Sequence, residues 1–123
     1  MPRYLFQVSY TNESWATQVH VKGDILQRVE PLVSACNGNL EALYYAFGDA
    51  DVVALVDFDG PEGAAAFSIA VSAGGAVKSI KTTPLLTIEQ GMAALKLAGD
   101  AAAVYHPPTA ISLPEQAKAG AGR

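Results

Sequence analysis

The chain is poor in several things. One cysteine, Cys36, occurs in 123 residues. An intrachain disulfide is therefore excluded, and cytoplasm is the default compartment. Only 16% of the residues are charged and the net charge is −4. The Lys and Arg residues are scattered, with no run among them. Nucleic acid is not an expected partner, because phosphate binding needs clustered cations. No apolar stretch reaches the ~18 residues of a membrane span. The opening MPRYLFQV has neither the apolar region nor the small-residue cleavage site of a signal peptide. Two histidines and one cysteine do not readily supply the four ligands of a closed zinc site. No metal and no cofactor is expected. There is no Ser-His-Asp arrangement, phosphate loop or dinucleotide glycine motif, and no internal repeat.

What is present is apolar residue in regular patterns, half of the chain in all. The length suits a single core. RYLFQVSY alternates with period two, Tyr4, Phe6, Val8 and Tyr10 on one face, and reads as a strand. Thr11-Asn12-Glu13-Ser14 supplies capping residues for a helical piece carrying Trp15 and Val19. Lys22-Gly23-Asp24 interrupts it, and Asp24 caps a second piece. There Ile25, Val29, Leu32, Val33 and Cys36 share one buried face. Pro31 should kink this helix or mark the start of its last turns. Gly38 suits a left-handed residue at its end.

LEALYYAF and DVVALVDF read as second and third strands joined by a short hairpin at Gly48-Asp49-Ala50. Gly60-Pro61-Glu62 opens an Ala-rich helix. AVKSIKTTPLL reads as a fourth strand, shortened at Pro84. Thr87-Ile88-Glu89-Gln90 has the form of a capping box. It opens a last helix with Ile88, Met92 and Leu95 on one face. Residues 100–123 form a tail of Ala, Pro, Gly and polar residues.

The order is strand, helix, strand, strand, helix, strand, then an extra helix. This is the split β-α-β arrangement of ferredoxin-like α+β folds, with an antiparallel sheet and both helices on one face. Residues 1–99 form the domain and 100–123 an extension. A one-sided sheet should alternate apolar and polar residues. Val52 to Val56 is apolar on both faces, and Tyr44, Tyr45 and Phe47 add aromatics. The face away from the helices is therefore expected to meet a second copy, as a homodimer or higher oligomer of the dimeric α+β-barrel kind.

Several stretches carry a resemblance to a known family. They are PRYLFQVSYT, ACNGNLEALYYAFGDADVVALVDF, the Ala-rich helix and GAVKSIKTTPLLTIEQGMAAL. In order and spacing the chain resembles the GYD-domain family of small bacterial proteins in the dimeric α+β-barrel superfamily, over residues 2 to about 97. The family's name refers to a glycine, a tyrosine and an aspartate beside the third strand. The matching positions are Gly48, Ala50 and Asp51, so the tyrosine is missing. The resemblance implies no settled activity. The superfamily spans cofactor-free monooxygenases, isomerases, haem enzymes and binding modules, so fold does not decide function.

Asp51, at the start of the third strand, is expected to meet Arg3 or Lys81. It is a strand-end carboxylate or a functional one. His20 is a partly exposed helix histidine, or a base or a metal or haem ligand, although no other histidine or cysteine lies within metal-ligand spacing of it. The aromatics Tyr4, Phe6, Tyr10, Trp15, Tyr44, Tyr45 and Phe47 line an apolar pocket or form core and dimer interface. Tyr4, Trp15, Tyr45 and Lys81 are the ligand-pocket candidates. Cys36 reads as a buried small hydrophobe. In the tail, Val104, Tyr105, Ile111 and Leu113 would be anchors on a neighbouring subunit or partner protein. The leading reading is a cytoplasmic homo-oligomeric binding or accessory module with a small apolar ligand. The alternatives are a cofactor-independent enzyme on a small aromatic or carbonyl compound, with Asp51 or His20 as base, and a structural subunit attached through residues 100–123.

Overall fold

A computed structural model describes residues 1–109. The element order is β1 (Arg3–Tyr10), α1 (Asn12–Val21), α2 (Ile25–Ala35), β2 (Gly38–Tyr45), β3 (Val52–Phe58), α3 (Pro61–Ala73), β4 (Val77–Leu85) and α4 (Ile88–Ala102). The chain divides into two compact units, Met1–Leu86 and Thr87–Arg123. The first holds one four-stranded sheet in the order β2-β3-β1-β4, every neighbouring pair antiparallel. This is an α+β fold with the split β-α-β order of ferredoxin-like folds.

Local chemistry sets most boundaries. The Thr11 hydroxyl accepts from the Ser14 N–H and starts α1, and the Asp24 carboxylate accepts from Leu26 and starts α2. Each satisfies a backbone donor that the first helical turn leaves without a partner. Pro61 stands at the head of α3, where a missing N–H costs nothing. In the second unit Thr87 and Gln90 exchange both bonds of a capping box at the head of α4.

Two expectations are corrected and one is narrowed. Pro31 does not mark a new start within α2, which runs as one helix from Ile25 to Ala35. Pro31 is exposed, so its ring and the carbonyl it leaves unpaired one turn back lie on the solvent side. Pro84 does not shorten β4, which continues to Leu85. That strand is at the sheet edge, where a missing N–H breaks no ladder on the open side. Asn37, not Gly38, takes the left-handed turn after α2, with φ 61°. Gly38 is the first residue of β2, two residues earlier than the sequence pattern places it. A Cβ there would stand 2.5 Å from the Phe58 ring, so only glycine lets β2 pass.

The core lies between the sheet and its helices. Tyr4 and Phe6 from β1, Ala54, Val56 and Phe58 from β3, Val33 from α2, and Ala64 and Phe67 from α3 form one buried cluster. Its rings meet edge to face, Phe6 and Phe67 with centroids 4.8 Å apart. Cys36 is half-buried against this cluster. Gly63 brings α3 close to the end of α2: a Cβ on it would lie 2.6 Å from the Cys36 carbonyl oxygen.

Candidate functional site

The hairpin between β2 and β3 is held by its backbone. The Ala46 N–H donates to the Asp51 carbonyl, and the Asp51 N–H donates to the Val8 carbonyl. The Asp51 carboxylate accepts from the Tyr10 N–H at 2.8 Å. It therefore meets the end of β1, and neither Arg3 nor Lys81. The physical reason is strand direction. β3 runs antiparallel to β1, so its first residue lies beside the last residues of β1. Arg3 sits at the other end and forms a two-pronged pair with Asp57, at 2.7 and 3.1 Å. Glu41 joins it at 3.6 Å. The Arg3 guanidinium holds the Asp57 carboxyl below its ordinary value.

The motif positions lie along this hairpin. Gly48 is exposed, and Ala50 is buried. Ala50 lines a cleft of about 130 Å³ with Gln7, Ser9, Asp49, Ser79 and Lys81. The Ser9 hydroxyl donates to the Asp49 carbonyl at 3.2 Å and ties the turn to β1. Lys81 therefore stands beside Asp49 and Ala50. His20 is exposed in the last turn of α1.

The aromatic candidates separate. Tyr4 is buried in the core, edge to face with Phe58. Trp15 bridges Tyr10 and Tyr45, with centroids at 5.2 and 6.4 Å. Phe47 is fully exposed at the hairpin tip, and Tyr44 is exposed on β2. Val104 and Tyr105 are exposed as well. Ile111 and Leu113 lie outside the described residues.

A larger cleft opens on the helix side, of about 460 Å³, between α1, the beginning of α2 and the turn from α3 to β4. Its polar wall is a chain of side chains. Gln18 donates to the Ser14 hydroxyl at 3.2 Å, and Arg28 donates to the Gln18 carbonyl oxygen at 3.1 Å. The Tyr10 hydroxyl lies beside the Arg28 guanidinium. Burial pushes this phenol above its ordinary value, and Arg28 pulls the other way. The hydroxyl is thus protonated, and a donor, at neutral pH. The Thr11 N–H donates to the Ala76 carbonyl at 3.1 Å and fixes the turn against α1. Of this wall the sequence pattern singles out Tyr10 alone. Gln18 and Arg28 lie ten residues apart across the break at Lys22-Gly23-Asp24, where no helical period connects them.

Among the described residues, no group of three or more His, Cys, Asp or Glu side chains is placed to hold a metal ion. No helix among them is long and apolar enough to cross a membrane. The sheet, its strand order and its clefts define a small α+β domain of the split β-α-β kind. The family model of the GYD domain matches residues 4–95. The chain therefore belongs to the GYD domain family. No curated protein matches it.

Proposed function

We propose that the protein works as a homo-oligomeric small-ligand-binding or accessory module, two copies meeting through the face of the sheet turned away from the α2 and α3 core. One observation carries this reading. Leu5, Val53 and Leu55 form an apolar centre on that face, with Leu5 directly opposite Leu55. The three are half-buried, and none belongs to the core cluster on the other side. Ala42 stands opposite Leu55 and Tyr44 opposite Val53, extending the patch onto β2. A contiguous apolar sheet face is a site for association. The Arg3–Asp57–Glu41 group stands at one end, as a polar rim does in many interfaces. A small ligand has a cleft on the opposite side of the sheet, so assembly leaves it open. The single thiol supports a cytoplasmic setting.

Sedimentation velocity at micromolar concentration tests the assembly. A dimer or larger closed oligomer is expected. A folded monomer at that concentration would remove the proposal. The accessory role is tested by deleting residues 100–123: if mass and partner capture are both unchanged, the tail has no part in it.

A further inference from the structure

The cleft beside α1 combines three features that a hydrogen-bonded surface groove need not share. First, it contains a guanidinium cation held by neutral partners. Arg28 donates to Gln18 at 3.1 Å and stands beside the Tyr10 hydroxyl. Among the described residues the ion pairs are those of Arg3 with Glu41 and Asp57, and Arg28 takes part in none. Second, Gln18 is itself held by Ser14 at 3.2 Å, so the fork is oriented before any ligand arrives. Preorganised donors lose less on binding. Third, Val21, Ala76 and the Tyr10 ring supply an apolar wall in the same cleft.

We propose that this cleft binds a small organic monoanion, its carboxylate seated on Arg28 and the Tyr10 hydroxyl and its apolar body against Val21 and Ala76. The planar guanidinium matches a carboxylate with paired donors, which a point charge does not do. Glu13 also lines the cleft, so one positive and one negative side chain face the ligand. That balance disfavours a phosphate dianion. Gly23 lines the same cleft, and an added Cβ there would lie 3.6 Å from the Arg28 Nη1 atom. A larger side chain there narrows access without touching the core. The proposal gives the ligand-binding half of the preceding reading a place and a chemical class, and it rests on that half.

Trp15 provides the test. It is the single tryptophan of the chain, and its ring lies 5.2 Å from that of Tyr10. Benzoate, benzamide and inorganic phosphate are titrated at pH 7 while tryptophan emission is followed. Benzoate is expected to saturate the signal with a Kd on the order of 1 mM. Benzamide, of the same shape but neutral, should bind at least about tenfold more weakly, and so should phosphate. Arg28→Gln should weaken benzoate at least about tenfold, Arg28→Lys by less, and Gly23→Val should weaken it with the guanidinium intact. Far-UV circular dichroism checks that each variant is folded.

Equal binding of benzoate and benzamide overturns the carboxylate seat, as does benzoate binding unaltered in Arg28→Gln and Gly23→Val. Phosphate binding as tightly as benzoate overturns the ligand class. Absence of a saturable benzoate signal, with no binding by calorimetry on the same samples, overturns the site. Sedimentation of these samples reports assembly separately, so a monomer that binds benzoate through Arg28 would leave the site standing and remove only the dimer.

Discussion

Along β3, Val56 and Phe58 have no exposed surface, while Leu55 and Asp57 between them keep part of theirs. The same contrast runs through β1, where Phe6 is fully buried and Leu5 only half so. β3 is apolar on both sides from Val52 to Val56. Within one chain only the helix side receives a core. An antiparallel sheet with one wet face normally alternates apolar with polar residues. The departure from alternation at Val53 and Leu55 is what motivates the proposal that this face meets a copy. The helix side draws its stability from packing inside the chain, and the other side is expected to draw it from a copy.

The strongest way to break this comparison is to hollow the covered face. Phe58→Ala removes a ring that contacts Tyr4, Phe6 and Phe67. It should cost about 3–5 kcal/mol in urea unfolding. A loss under about 1 kcal/mol would mean that this face is not the main core. Next comes the approach of α3 to α2. Gly63→Ala puts a methyl group 2.6 Å from the Cys36 carbonyl, and backbone must move to admit it. A loss of about 1–3 kcal/mol is expected by the same measurement, and an unchanged midpoint would show the contact to be yielding.

The uncovered face should respond differently. Leu55→Lys is expected to leave the chain folded, at about 1 kcal/mol or less in the monomer. The proposed oligomer, however, should fall apart in sedimentation. If Leu55→Lys unfolds the chain, the two faces are not distinct in the way described; if assembly survives, the interface lies elsewhere. The smallest effect is electrostatic. Arg3 lowers the Asp57 pKa in the folded state. A carboxyl held below its unfolded value stabilises the fold above that value, ~3.9 for aspartate. The contribution is lost as pH falls through the lower folded pKa. Urea midpoints should therefore decline for this reason only below about pH 4, and Asp57→Asn should flatten that part of the profile. An equal decline in the variant would assign the acid sensitivity to other groups. The pair is partly exposed, so added salt should weaken the effect.

Much of the fold was legible because it rests on short-range rules. Period-two alternation marks β1, and side-chain oxygens at Thr11, Asp24 and Thr87 start three helices where capping chemistry places them. Pro61 marks the head of a fourth. Apolar residues on both faces of β3 are visible in DVVALVDF itself. These features depend on neighbours within a few residues, and their order along the chain determines the split β-α-β arrangement and the family.

The sheet as a whole decided the rest. Asp51 caps the Tyr10 N–H because β3 runs against β1, a direction that no residue in FGDADVV encodes. Pro84 stays within a strand because β4 is an edge, and Gly38 is required because the Phe58 ring crosses above it. The cleft brings Ser14, Gln18 and Arg28 to Tyr10 only once the chain has turned between α1 and α2, where Arg28 reaches Gln18. Sequence by itself determined the elements, their caps and the excess of apolar surface. Tertiary structure alone decided which polar groups meet, because a hydrogen bond or an ion pair depends on the few ångströms between strands and helices far apart in the chain.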